Sequence, residues 1–211
     1  MPVTLREGIM LKLVAAMSGL LLAGSAMNPA NAGRTETIYL AGGCYWGTEE
    51  VFEHVKGVKS VVAGFAYGAE DSVAGVLRRA SHGGLAEAVR IKYDPEKISY
   101  SQLLEIFFTI AHDPTQLDRQ GPDVGPRYRS SLFVTDTSQF RIARAYLDSI
   151  RSAARAGRPV VTDLVMLDHF KVVGEDQQDF AAKHPTLPYI VINDKPKVEQ
   201  LREKYPGVFK G

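Results

Sequence analysis

Apolar positions alternate, or recur at helical spacing, through most of the chain after Gly33, and they divide it into short strands and amphipathic helices. "ETIYLAG" (Glu36 to Gly42) reads as a strand running into a glycine turn. From Thr48 to Lys56, the residues Val51, Phe52 and Val55 make a helical stripe that Gly57 stops. "KSVVAGFAY" and "EAVRIKYDP" read as strands joined by a Gly-rich loop from Asp71 to Gly84. Ser99 followed by Gln102 is a capping-box pattern. The helix it predicts, "YSQLLEIFFTIAH", has its apolar face at Leu103, Leu104, Ile106, Phe107 and Ile110. A polar loop rich in Pro and Gly runs from Asp113 to Arg129, and "SSLFVTD" is the strand after it. Asp136 caps a predicted helix reaching about Ala156, with Ile142, Ala145, Tyr146 and Ser149 along one stripe. "PVVTDLVML" is the last clear strand, and short helices around Glu175 to Lys183 and Lys197 to Lys204 close the chain. Helices and strands mix without strict alternation, which favours one α+β domain over a doubly wound sheet.

Before this pattern begins, the first 32 residues read as a secretory signal. Arg6 and Lys12, diluted by Glu7, precede an apolar run from Leu13 to Met27, and Ala30-Asn31-Ala32 offers small residues for cleavage. The run is short for a membrane span, which needs roughly 20 apolar residues; an uncleaved anchor is the lesser alternative. No cysteine follows the run, which argues against a lipoprotein. The expectation is an exported protein, periplasmic or secreted, whose residues 33–211 form a single domain with no stable membrane insertion after cleavage. The formal net charge of +1 gives no bulk electrostatic case for nucleic acid or an acidic membrane as partner.

Export makes the cysteine count informative. Secreted domains usually pair their cysteines, and this chain has one, Cys44. It is either inert packing or chemistry. The stretch "YLAGGCYWGTEEVFEHVKG" places it between a glycine turn and a predicted helix start. Unsatisfied N–H groups and the dipole at such a terminus favour a thiolate. An unperturbed thiol, with a pKa of about 8.5, is roughly 3% ionised at pH 7. A dipole contribution of at most about 2 kcal/mol lowers the expected pKa to about 7. Gly42 and Gly43 leave room for a close approach by substrate. Tyr45 and Trp46 follow directly; an aromatic pair beside a nucleophile suits a small apolar group such as a methyl on sulfur, and core packing is the plain alternative.

"GGCYWGTEEVF" resembles the GCFWG signature of the A-type peptide methionine sulfoxide reductases. "GGLAEAVRIKYDP" is similar to that family's GHAEAV…YDP segment, and "HDPTQLDRQGPDVGPRYRSS" to its DPT…NRQG.D.G.QYRS loop. "FKVVGEDQQDF" lines up with its segment ending YHQDY. The resemblance runs from about Thr37 to Phe180. It implies a ferredoxin-like two-layer α+β sandwich with a mixed sheet and added loops and helices. It also implies thiol-dependent reduction of methionine-S-sulfoxide, free or in oxidised proteins, through a sulfenic acid on the cysteine. Carried over, Cys44 is the nucleophile, and Tyr45 and Trp46 form the methyl pocket. Glu87 donates a proton to the sulfoxide oxygen, Tyr128 holds that oxygen, and Asp123 faces the substrate backbone. No prosthetic cofactor and no metal are implied. With no second cysteine to resolve the sulfenic acid, reduction falls to an external thiol, small or on a thioredoxin- or glutaredoxin-like protein.

The chain departs from the family pattern at several points. Phe65 stands where a second oxygen-binding tyrosine is expected, and Tyr67, two residues on and on the same strand face, is the candidate replacement. Leu85 and Gln177 each replace a histidine. These departures support an alternative, a catalytically impaired methionine-sulfoxide-binding or redox-sensing module. A third reading is a thiol hydrolase using His82, His112 or His169 as base, although none lies in a recognisable protease context. One cysteine and scattered histidines give no metal-ligand spacing.

Overall fold

β1 (Glu36–Gly42) buries Ile38 and Leu40 on one face, as its alternation requires. The computed structural model describes residues 33–68, 84–154 and 157–211. The segment read as a signal, and the Gly-rich loop up to residue 83, lie outside the described residues. After β1, Cys44 takes the N-cap position of α1 (Tyr45–Glu53), which starts three residues earlier than its apolar stripe suggests. β2 (Val58–Gly68) and β3 (Ala86–Tyr93) follow. The capping box opens α2 (Tyr100–Ile106): the Gln102 amide donates to Ser99 Oγ at 3.2 Å, and the Ser99 amide donates to Gln102 Oε1 at 3.0 Å. A π-helical turn, Phe107–Ala111, continues it with Phe107 fully buried.

The loop after His112 is more ordered than its composition predicts. It carries a small hairpin of β4 (Arg119–Gln120) and β5 (Asp123–Val124), then a 3-10 turn, Pro126–Tyr128. β6 (Ser130–Val134) is buried throughout. Asp136 caps α3 (Thr137–Ala153), accepting from the Ser138 and Gln139 amides at 2.7 and 2.9 Å. The buried face of α3 is not the expected stripe. Ala143 and Leu147 are fully buried, with Phe140 and Ile150 packed beside them, while Ala145 and Ser149 are exposed. Positions 140, 143, 147 and 150 form an equally regular helical row that carries the bulkier apolar groups.

β7 (Asp163–Val172) begins and ends later than "PVVTDLVML" predicts. It runs parallel to β6 from Asp163 and antiparallel to β2 through Val172, and this double pairing, not its own composition, sets its ends. The strand order β1-β3-β2-β7-β6 closes on itself through β6–β1 pairing. The α+β class and the mixed sheet hold, and the sheet is closed with five strands, because β7 covers the edges that β2 and β6 would otherwise expose. α4 (Phe180–Lys183), a π-helical turn Ile190–Asp194 and α5 (Lys195–Lys204) complete the described chain, with the last helix packed on α1.

Replacing Asp136 by Ala removes two cap hydrogen bonds from the longest helix among the described residues. The expected loss is about 1 kcal/mol of stability, read as a lower urea midpoint with unchanged slope. An unchanged midpoint would show that the cap contributes nothing.

Candidate active site

Cys44 sits where β1 ends and α1 begins, and two glycines make that junction possible. Gly43 has φ +99, and a Cβ there would lie 2.6 Å from the Gln120 side chain. A Cβ on Gly47 would lie 2.0 Å from Asp194 Oδ1, so this glycine lets the C-terminal segment close over α1. The glycines beside Cys44 therefore accommodate protein: Gly42 faces Phe107 and His112, and Gly43 faces Gln120, instead of leaving a path for substrate.

The thiol itself is half-buried. Its proton affinity goes the opposite way from the helix-start expectation. Burial raises the Cys44 pKa, the Glu87 carboxylate raises it further, and only a backbone hydrogen bond from Trp46 opposes them. The dipole of a nine-residue helix is outweighed by loss of water and a facing negative charge. In the resting site sulfur keeps its proton.

Glu87 lies on β3 opposite Phe65 of β2 and is 4% exposed. Its Oε2 accepts from the Tyr45 amide at 3.3 Å, and its Oε1 meets Arg127 Nη2 at 2.8 Å. Burial raises its pKa, and Arg127 and the Tyr45 amide partly offset that rise. Arg129 secures this corner from behind: its guanidinium donates to the carbonyls of Gly84, Leu85 and Pro126. Tyr128 follows Arg127 on the 3-10 turn; burial raises its pKa, and the charges of Glu87, Asp123 and Cys44 add to that.

The aromatic wall is built by residues distant in sequence. Trp46 stacks on Phe180 with ring centres 3.8 Å apart, and the Tyr189 ring meets it edge-on at 5.8 Å. Tyr45 stands edge-on to Phe65 at 6.1 Å. Gln177 Oε1 accepts from both the Tyr45 hydroxyl and the Trp46 indole N–H, each at 3.3 Å. Gln178 holds this segment in place by pairing its amide with the Ala63 backbone in both directions, at 2.8 and 3.0 Å. The Tyr189 hydroxyl donates a short hydrogen bond to Asp123.

The structure thus brings Cys44, Tyr45, Trp46, Glu87, Asp123 and Tyr128 into one electrostatic neighbourhood. Tyr67 is engaged elsewhere, its ring stacked 3.8 Å from His169 of β7. Sequence reasoning missed Arg127, Tyr189 and Asp194 and treated Gln177 only as a departure. No local periodicity marks any of them, since each reaches the site through tertiary packing. The histidines serve other ends. His112 is buried and donates from Nδ1 to the Phe107 carbonyl, so Nε2 faces Ser130 Oγ at 2.7 Å; burial lowers its pKa to about 4, and it stays neutral. His169 is exposed beside Asp168, and His82 lies outside the described residues. Among the described residues, Glu49, Glu53 and Asp179 alone have metal-ligand spacing. Burial pushes Glu49 up to about 7 and Glu53 up to about 8, so near neutral pH protons compete with any ion there.

With this geometry in view, the comparisons with known proteins are consistent. The family described as peptide methionine sulfoxide reductase matches residues 36–207. The chain is 42% identical over 183 residues to peptide methionine sulfoxide reductase MsrA 2 of Mesorhizobium japonicum, spanning 87% of this chain and 94% of that protein. It is 39% identical over 188 residues to the protein of the same name from Synechocystis sp., spanning 87% of each. Among solved structures, it is similar to the reduced form of Mxr1 from Saccharomyces cerevisiae, with TM-score 0.62, 30% identity, and coverage of 76% of this chain and 90% of that one. It is also similar to methionine sulfoxide reductase A of Corynebacterium diphtheriae, with TM-score 0.61, 30% identity, and coverage of 74% and 80%.

Trp46 is the only tryptophan, so intrinsic fluorescence reports on this wall. Gln177→Ala removes the acceptor shared by Tyr45 and Trp46. At about 1 kcal/mol for each hydrogen bond lost, stability should fall by about 1 to 2 kcal/mol and the emission should shift to longer wavelength. Unchanged emission and stability would show that Gln177 does not hold the two rings.

Proposed function

Since the chain belongs to the peptide methionine sulfoxide reductase family, and reduces methionine sulfoxide, we propose that Cys44 and Glu87 carry the reaction on the S epimer, with Trp46 and Tyr45 receiving the sulfur-bound methyl. The observation that carries this reading is Glu87: a buried carboxylate anchored on the Tyr45 amide, one residue from the thiol and charged against it. A thiol and a carboxyl so placed share a proton, and neither titrates alone. Cys44 gives its proton to Glu87 as its sulfur attacks the sulfoxide sulfur. Glu87 passes that proton to the departing oxygen, which leaves poorly unless protonated. The attack forms a bond between Cys44 sulfur and methionine sulfur. The bond from methionine sulfur to oxygen then breaks as the protonated oxygen moves to Cys44 sulfur, the sulfur–sulfur bond breaks with its electron pair going to methionine sulfur, and methionine departs. Cysteine sulfur loses two electrons and the substrate sulfur gains them, so the step needs no other reductant or proton.

Tyr128 donates to the oxygen during this step, and Asp123, held by Tyr189, faces the substrate backbone. The resulting sulfenic acid has no second cysteine in this chain to attack it. An external thiol, small or on a thioredoxin- or glutaredoxin-like protein, forms a mixed disulfide and releases water; a second thiol then frees Cys44. No prosthetic group enters, since thiols supply both electrons. For the fold, the order β6-β1-β3-β2 supports reading these four strands as a ferredoxin-like core to which β7 has been added.

Without added thiol, one equivalent of protein should yield one equivalent of methionine and a dimedone-reactive Cys44. Glu87→Gln should slow that single turnover by about 10² to 10⁴. Multiple turnovers without thiol, or a Glu87→Gln rate equal to wild type, would contradict the mechanism. Export with removal of residues 1–32 is also proposed, and the intact mass of protein from the exported fraction tests it: a mass retaining those residues would argue for an anchor.

A further inference from the structure

A sulfoxide oxygen carries partial negative charge and must lie between Cys44 and Glu87 if the proposed reaction is right. Phe65 offers that oxygen no donor, and Tyr67 is stacked on His169. Arg127 is the cation that reaches this point. Its Nη2 is 2.8 Å from Glu87 Oε1, and its guanidinium carbon is 5.6 Å from the Phe65 ring centre and 5.4 Å from that of Tyr128. The ring lacking a hydroxyl and the ring bearing one therefore flank the same guanidinium.

The backbone beneath Arg127 is tied down by hydrogen bonds, while its side chain reaches into solvent. The Tyr128 amide donates to the Gly125 carbonyl at 3.0 Å, and Arg129 ties the turn to the start of β3. The Arg127 side chain, by contrast, is 47% exposed. A guanidinium has five N–H donors and does not give up its proton, so it can exchange one acceptor for another without changing charge.

We propose that Arg127 is a catalytic residue: resting on Glu87 in the free protein, it moves an N–H onto the sulfoxide oxygen and supplies there the donor that Phe65 lacks. The move has a second effect. Arg127 holds down the proton affinity that burial gives Glu87, so its departure makes Glu87 the better acceptor for the thiol proton. That proton then passes to the oxygen, and Arg127 remains a cation beside it. Binding of the oxygen and activation of the thiol thus become one event. The inference rests on the Cys44 and Glu87 reading above.

The test is single-turnover reduction of methionine sulfoxide, with methionine quantified, by the wild type and by Arg127→Met, Arg127→Lys, Phe65→Tyr and the Phe65→Tyr/Arg127→Met double variant. Arg127→Met should lower the rate at saturating substrate about tenfold to a hundredfold, the range for a lost charged hydrogen bond. Arg127→Lys should recover part of it. Phe65→Tyr should restore most of the loss in the double variant, because a hydroxyl on that ring replaces the missing donor. A defect that Phe65→Tyr cannot restore would mean that Arg127 only positions Glu87, and would overturn the proposal. So would a wild-type rate in Arg127→Met. If Glu87→Gln is slow while Arg127→Met is not, Arg127 fails alone; if both are fast, the underlying reading fails with it.

Discussion

Glu87 is held in a place where its charge is costly, and the site depends on that constraint. Burial on β3 opposes ionisation, while the Arg127 guanidinium and the Tyr45 amide oppose protonation. A carboxyl balanced in this way exchanges its proton in response to small changes nearby. One such change is the arrival of a polar oxygen that competes for Arg127. The neighbouring thiol feels the same group: burial raises the proton affinity of Cys44 most, and the Glu87 charge adds to it. In the proposed mechanism sulfur becomes nucleophilic when substrate is present and stays protonated otherwise.

The closed sheet explains how the constraint is maintained. Glu87 and Phe65 face each other across β3 and β2, and β7 covers the outer edge of β2. On the other side, Glu49 of α1 accepts from the Asp179 amide at 3.0 Å, and Gln178 pairs with Ala63 of β2. The residues on either side of this pair, Gln177 and Phe180, meet the indole N–H and the indole face. Gln177 therefore keeps a structural function, as acceptor for two aromatic donors.

Much of this was legible in sequence where the cause is local. The capping box at Ser99, the cap at Asp136 and the glycine turn before Cys44 follow from backbone groups needing partners within a few residues. The motif residues Cys44, Glu87, Asp123 and Tyr128 could be named by resemblance, and the fold draws them together. What was not legible has causes distant in the chain. The α3 face depends on which of two similar rows meets the sheet, and the ends of β7 depend on its neighbours. The Cys44 shift runs against the sequence expectation because a helix start is visible in sequence, whereas burial in the folded chain and the Glu87 carboxylate on β3 are not. Tyr189 and Asp194 lie about 150 residues from the thiol, and no spacing rule connects them to it.

The coupling between Cys44 and Glu87 can be measured directly from the pH dependence of Cys44 alkylation by iodoacetamide in the free protein, wild type against Glu87→Gln. The expected result is a wild-type thiol titrating well above the ordinary value of about 8.5, with a clearly lower pKa in Glu87→Gln, where the burial cost remains but the facing charge is gone. A wild-type thiol titrating near 7, or one unmoved by Glu87→Gln, would contradict the claim that this carboxylate holds the proton on sulfur.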